Sequence, residues 1–456
     1  MTNKLYFLLS LPIIVLMACN TNPDSNKMTN KEKNSLLQHP KWSKHSTIYE
    51  VNIRQYTPEG TFNAFDKHLS RLHSMGVDIL WFMPINPIGK KNRKGSLGSY
   101  YSIKNYSAIN PEFGTLQDFN KLVKHAHSLG MHVLIDWVAN HTSWDHPWVK
   151  QHPEWYKKDS LGNITSPFDW TDVLALDYDN HQLWKAMTNE MKFWLTESNI
   201  DGFRCDVAML VRTEFWDSAR AELDKVKPVF MLAEAELPEH HLHAFDMSYA
   251  WKIDHKMEAI AKGKEPASAL DTQIKADLKS FGKNAYRMQF TSNHDENTWN
   301  GTEYEKFGDG AKIMAVLTYV IPGMPLIYSG QEAANKKRLK FFDKDSISWD
   351  SIPLEDFYHN MIQLKNDNIA LWNGDFGGDY HTLPTTNDDK LISFVRSKGD
   401  NRVLFIGNLS DKKVKTKIHL GKYKGFYQDW FTKDKVEFSD TNNFKLKPWQ
   451  YNIFIR

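Results

Sequence analysis

Apolar positions along the chain follow two alternating periods. The run IYEVNIRQY (48–56) has the dense, partly β-branched texture of a strand, and behind it Phe65, Leu69 and Leu72 share one helical face closed by Gly76. VDILWFMPI (77–85) repeats the strand texture. A second helix opens at Thr115, with Asp118 at the capping-box position, and turns Leu116, Phe119, Leu122, Val123 and Ala126 inward before Gly130. MHVLIDWVAN (131–140) follows. Then come IDGFRCDVA, PVFMLAEAE, FDMSYAWKI, YRMQFTSNHDEN and MPLIYSGQE, with helix-length segments between nearly all of them.

Eight strand candidates with helical crossovers predict an α/β fold, a (β/α)8 TIM barrel. A doubly wound open sheet would start with a Gly-rich turn after its first strand, and the chain has none there. Polar functional residues also crowd the strand C-termini: Asn140 and His141, Asp206, Glu234, His294 and Asp295. A closed barrel gathers those ends on one rim, so residues far apart in sequence converge. The stretch 141–180 is too long for a βα loop and reads as a small excursion domain. After a last helix at about 355–366 the texture changes to KLISFVR, RVLFIGNL, KVKTKIHL and YNIFIR, the pattern of an antiparallel β-sandwich. The expected domains are a catalytic barrel over 41–366, containing the excursion, and a β-sandwich over 367–456.

Composition narrows the class. Lys and Arg total 57 against 55 Asp and Glu, and no basic stripe is present, so nucleic acid is not an expected partner. The 16 Trp, 18 Tyr and 26 Phe are mostly core, but some suit a cleft in which a sugar ring stacks its C–H face. At the start, Lys4 precedes an apolar stretch (5–17) shorter than the roughly 20 residues that span a bilayer. It ends Leu16-Met17-Ala18-Cys19, which resembles a bacterial lipobox. The expectation is a lipoprotein signal peptide (1–19), lipid attachment at Cys19, a flexible tether over 20–40, and an exported protein anchored to a bacterial membrane. Cys205, without a disulfide partner, is expected to be core filling.

Four segments carry chemistry. GFRCD sets Arg204 and Asp206 two apart on a strand, so both face the same way, and an adjacent Arg keeps a buried carboxylate charged as a nucleophile requires. Taken alone, this pair is equally a structural ion pair. MLAEAE places Glu234 after an apolar run, surroundings that favour a protonated carboxyl and suit a proton donor. SNHDEN supplies His294 and Asp295, a weak signal by itself. DWVANH brings Asp136, Asn140 and His141 to one strand end; lacking zinc-type spacing, it fits hydrogen bonding to a polar ligand better than a metal. Hydrolysing a glycosidic bond through a covalent intermediate needs two carboxyl groups flanking one sugar carbon, and this set contains them.

In this order, DWVANH, GFRCDVA, MLAEAE and FTSNHDEN resemble the third-, fourth-, fifth- and seventh-strand motifs of the α-amylase family, glycoside hydrolase family 13. SYYSIKNYSAINPEFGT (99–115) and GMPLIYSGQE (323–332) are similar to further family segments. The resemblance implies a nucleophile at Asp206, an acid/base at Glu234, and at Asp295 an acid holding the sugar's 2- and 3-hydroxyls. It places Arg204, His141 and His294 around the attacked glucose, Tyr101 stacked beneath it, and Asp136 as a structural hydrogen-bonding residue. It further implies an α-glucan or maltooligosaccharide substrate and no required cofactor. Two positions depart from the family: Met209-Leu210 replaces the Lys-His of many α-amylases, which changes the sugar-acceptor side, and Ala175 stands where an Asp usually gives calcium a ligand beside the excursion. Only Asn140 remains of the usual ligands, which argues against calcium at the familiar place, while DWTDV (169–173) offers another position. The expected activity is retaining hydrolysis of α-glucosidic bonds; the alternatives are a transglycosylase or isomerase on the same barrel, or a non-catalytic sugar-binding barrel.

Overall fold

The computed structural model describes residues 37–456. The expected signal peptide, the attachment point Cys19 and the tether up to residue 36 lie outside the described residues. The tether reading does not extend to residue 40, because His39 is already fastened to the barrel, with Nδ1 2.8 Å from Asp246 Oδ1 and Nε2 2.9 Å from the Asn284 carbonyl. No helix among the described residues is long and apolar enough to cross a membrane.

Eight parallel strands close into a barrel: β1 (Ile48–Val51), β2 (Ile79–Phe82), β3 (His132–Trp137), β4 (Gly202–Cys205), β5 (Phe230–Ala233), β6 (Met247–Tyr249), β7 (Tyr286–Gln289) and β8 (Met324–Tyr328). Each pairs with its sequence neighbour, and β8 returns to β1 with Ile48 opposite Leu326. Side chains of alternate strand positions fill the interior, among them Ile48, Ile79, Trp81, Leu134, Leu232, Met288 and Leu326, all buried. The opposite positions pack against the surrounding helices. The helix Leu116–Ser128 forms as its sequence predicts: the Thr115 hydroxyl accepts the Asp118 N–H at 3.1 Å, and Asp118 accepts back from the Thr115 N–H at 2.9 Å.

Two strands end earlier than their apolar runs. β1 stops at Val51, and Ile53–Tyr56 coil into a helical turn. There Arg54 donates to the Gly98 carbonyl at 3.0 Å and Gln55 to the Asp343 carbonyl at 3.0 Å, so this turn buckles two rim loops together. In FDMSYAWKI the strand ends at Tyr249, and a helix (Trp251–Ala261) starts two residues on. The excursion is organised by a hairpin in which His141–Ser143 pairs antiparallel with Val173–Ala175.

The C-terminal region is antiparallel throughout. A six-stranded sheet runs in the order Asp379–Thr382, Leu391–Lys398, Asn401–Asn408, Tyr451–Ile455, Gly425–Asp429 and Lys435–Phe438, and Val414–His419 pairs with Thr441–Leu446. Val395 and Leu404 of the larger sheet meet Ile418 and Leu446 of the smaller one in a common core. Phe394 and Phe405, on alternate positions, instead join the main core with the barrel helices.

Candidate active site

The rim at the strand C-termini is built by backbone that continues the barrel ladder past its last strand residues. The Asp206 N–H donates to the Trp137 carbonyl at 2.9 Å and the Glu234 N–H to the Cys205 carbonyl at 3.0 Å. Both acids are therefore fixed at the mouth by strand geometry. Asp295 arrives differently: β7 ends at Gln289, and His294 and Asp295 sit beyond it, at the start of a helical turn (Glu296–Asn300). His141 likewise opens the excursion hairpin rather than ending β3.

At the centre lies Arg204, with no exposed surface. Its Nη1 donates to Asp136 Oδ1 and to Asp206 Oδ1, each at 3.0 Å. Nη2 lies 2.8 Å from Glu234 Oε2, and Nε donates to the Tyr249 hydroxyl at 3.2 Å. One cation thus serves three acids. The expectation that the adjacent Arg204 keeps Asp206 charged is corrected by this sharing: burial, then the charge of Glu234, pushes the Asp206 carboxyl well up against the pull of the guanidinium. Burial also raises Asp136, to about 6, with Arg204 opposing. The expected apolar setting of Glu234 is corrected as well, since its Oε2 accepts the Val207 N–H at 2.7 Å besides meeting Arg204. Val207 aims that N–H from a left-handed backbone, φ 36°, rare for a β-branched residue.

A second line of bonds crosses the floor. Asp136 Oδ2 accepts from Trp81 Nε1 at 3.2 Å and from the Tyr101 hydroxyl at 3.1 Å. Tyr101 Oη lies 2.7 Å from His294 Nε2, and the two rings stack at 5.5 Å. His294 Nε2 is 3.3 Å from Asp295 Oδ2, while Nδ1 is 2.5 Å from Glu50 Oε1. Burial disfavours a charged His294, but Asp295 and Glu50 outweigh it and raise the ring to about 9. His141 is the opposite case: burial takes it down to about 3, so it is neutral, with Nδ1 3.2 Å from Asn140 Nδ2.

All seven expected site residues come together on this rim, and Tyr101, His141, Asp206, Glu234 and Asp295 line one cleft of about 490 Å³, a size suited to a few sugar rings. Asp295 is its open member, with 43 % of its side chain exposed against 10 % for Asp206. A separate cavity of about 260 Å³ between the barrel and the C-terminal sheet contains none of them. Sequence reasoning missed Glu50, although an acid at an inward position of IYEV breaks the strand's apolar pattern and could have been noticed. It also missed the aromatic wall of Trp299, Phe341 and Phe342, whose rings lie 5.0–6.1 Å apart in rim loops that have no period to read.

The residues at the familiar calcium position do not fit that ion. Ala175, which has no side-chain oxygen, pairs with His141 in the hairpin, and the Asn140 amide engages His141. In DWTDV, Asp172 is taken by Lys94 Nζ at 3.2 Å. Asp254, His255 and Glu296 form a compact ligand-type group among the described residues, but Lys306 Nζ donates to Asp254 at 2.8 Å and to Glu296 at 2.6 Å and fills its centre. Cys205 is buried without a disulfide, its thiol pushed up by burial, consistent with core filling.

The family profile described as "Alpha amylase, catalytic domain" matches residues 21–175 and 168–369, and "Alpha amylase, C-terminal all-beta domain" matches 385–451. The chain belongs to the α-amylase family. Among its curated α-amylase-family relatives, Alpha-amylase MalA of Haloarcula japonica is 24% identical over 400 residues, covering 84% of this chain and 58% of that protein. The alpha-1,4-glucan:maltose-1-phosphate maltosyltransferase of Picrophilus torridus is 26% identical over 423 residues, covering 84% of this chain and 63% of that protein. The chain thus spans only about three fifths of the length of these two relatives. Two solved α-amylases superpose over nearly their full length. The noncanonic maltogenic alpha-amylase AmyB from Thermotoga neapolitana is 28% identical, covering 90% of this chain and 98% of that one, with a TM-score of 0.82. The alpha-amylase from Lactobacillus plantarum is 29% identical, covering 91% and 99%, with a TM-score of 0.81.

Proposed function

We propose that this protein is a retaining α-glucan hydrolase acting on starch-derived oligo- or polysaccharides. The observation that carries the reading is the placement of Asp206 and Glu234 on one guanidinium at the floor of a single cleft, with Asp295 on its open side. A retaining mechanism needs two carboxyls about 5–5.5 Å apart that hold one proton between them. With the proton on Glu234, that residue protonates the departing glycosidic oxygen while the Asp206 carboxylate attacks the anomeric carbon, forming an ester bond as the C–O bond breaks. Glu234, now ionised, takes a proton from water, whose oxygen displaces Asp206 and restores the starting state. Positive charge developing on the ring favours the ionised form of Asp206 in the transition state, against the upward push of burial. In this reading Asp295 and His294 hold the ring's hydroxyls, His141 and Arg204 complete the subsite and Tyr101 lies beneath the sugar.

Turnover of maltotriose, starch, pullulan and isomaltose, with the anomer of the product followed by NMR, tests the proposal. The α-anomer is expected first, and Asp206→Ala is expected to lose several powers of ten in kcat while keeping its fold. Turnover by Asp206→Ala at the native rate would sink the assignment. Transfer to a sugar instead of water is the second reading. It is favoured by the similarity to a protein named as a maltosyltransferase and by the exposed apolar pair Met209 and Leu210, which stands just beyond Val207. Longer oligosaccharides accumulating from maltotriose would select it.

The proposal includes export and a lipid anchor at Cys19, supported by the apolar segment and lipobox-like residues before it. Cys19→Ala is expected to move the protein from the membrane fraction to the soluble one, and unchanged partitioning would refute the anchor.

A further inference from the structure

β1 carries one side chain at odds with its surroundings. Glu50 has no exposed surface, and its Oε2 has no hydrogen-bond partner among the described residues. Among the described residues its side chain bonds through Oε1 to His294 Nδ1 at 2.5 Å. The other charged or titratable groups facing it are Asp295 beside His294, Arg204 on β4, Tyr249 on β6 and Tyr328 on β8. A buried acid using half its acceptors is a poor device for stability, because an apolar side chain of similar volume generally serves as well or better.

The bonds leading away from Glu50 give it another role. His294 Nε2 reaches Tyr101 Oη, Tyr101 donates to Asp136, Asp136 holds Arg204, and Arg204 holds Asp206. For the Tyr101 hydroxyl to donate to Asp136, its oxygen must accept from His294, so the hydrogen belongs on Nε2. With Nδ1–H donating to Glu50, the ring then carries both protons.

We propose that Glu50 is a positioning residue for the glycosyl-transfer step: it locks His294 as a doubly protonated ring whose Nε2–H, donated to Tyr101 and lying beside Asp295, fixes the Tyr101 ring and a positive charge at the floor of the cleft. This rests on the glucan reading above and deepens it. Asp295 and Glu50 together raise His294 to about 9 against burial, so loss of the Glu50 charge and bond lowers the pH at which the ring discharges.

Glu50→Gln keeps the size and one acceptor but removes the charge. Its kcat is expected to fall about 10–100-fold at pH 8 and to recover most of that at pH 5, where the ring recharges, with KM changed less than about 3-fold. In a His294→Gln background the same substitution is expected to change kcat less than about 2-fold, since the two act as one unit. A native pH profile for Glu50→Gln, or equal losses in both backgrounds, would overturn the proposal. An NMR titration of the histidine rings in the unaltered protein reads the pair without substrate. His294 charged at pH 7.5 is expected, and a neutral ring there refutes the proposal even if Glu50→Gln fails to fold. Because that titration needs no turnover, it distinguishes failure of this inference from failure of the glucan reading.

Discussion

Asp201 and Glu303 are both buried acids, yet their neighbours pull them in opposite directions. Asp201 accepts the Val133 N–H at 2.9 Å and Lys227 Nζ at 3.1 Å and lies 2.7 Å from His127 Nε2. Burial would raise its pKa, but these partners hold it below the usual carboxylate range. Glu303 is met by neutral donors, Gln331 Nε2 at 2.6 Å and Thr291 Oγ1 at 3.3 Å, and burial raises it from 4.5 to about 7. A carboxyl with a raised folded pKa contributes its full stability below the unfolded value and loses it as pH climbs through the folded one. For Glu303 that window runs from about 4.5 to about 7. Glu303→Gln keeps an acceptor for Gln331 and removes the titration. Urea unfolding should therefore show the variant matching the native protein at pH 4.5 and exceeding it at pH 8 by on the order of 1–3 kcal/mol. A variant weaker than the native protein at pH 8 would show that the ionised Glu303 is instead a favourable partner.

The strands act on the site through the spacing of their backbones. At the entry to β4, a Cβ on Gly202 would lie 1.8 Å from the Phe230 carbonyl oxygen of β5. Backbone cannot yield as a flexible side chain does, so Gly202→Ala must either spread β4 from β5 or unfold the barrel. A loss above about 4 kcal/mol, or no soluble protein, is expected, read as the melting temperature beside the native chain. Native stability would mean the two strands separate at little cost. The same strand shows why so much of the fold was legible. Short buried runs ending in Asp206 and Glu234 carry a period, and helices such as Leu116–Ser128 carry a cap, so their places follow from local residues. Where the chain leaves the ladder, that information stops. Asp295 lies six residues past Gln289 in a segment without period, and the Phe341–Phe342 wall is placed by the folding of the rim alone. The sharing of Arg204 among three acids was also beyond local reading, because Asp136, Asp206 and Glu234 come from three different strand ends.

Across the whole molecule, the barrel and the C-terminal sheets are joined by a core that belongs to both. In the helix Ala311–Val320 every residue except Lys312 is buried, a pattern that a surface helix of an independent barrel would not show. Such a helix needs cover on both sides, and Ile392, Phe394, Val403, Phe405 and Ile453 of the six-stranded sheet share its apolar cluster. Buried Arg396 reinforces the junction by donating to the Val320 carbonyl at 3.3 Å and the Gly378 carbonyl at 3.1 Å. Cutting the chain after residue 367 would leave the rim acids in place yet strip the outer side of this helix. That exposes several large side chains, each worth roughly 1.5–3 kcal/mol when buried, which together exceed much of an ordinary domain's net stability. The shortened chain should aggregate or melt without a cooperative transition, as followed by size-exclusion chromatography and calorimetry. A monodisperse barrel with a sharp transition and intact turnover would mean that the sheets are an accessory. The shared core argues the reverse, that they cover a helix which the barrel alone would leave exposed.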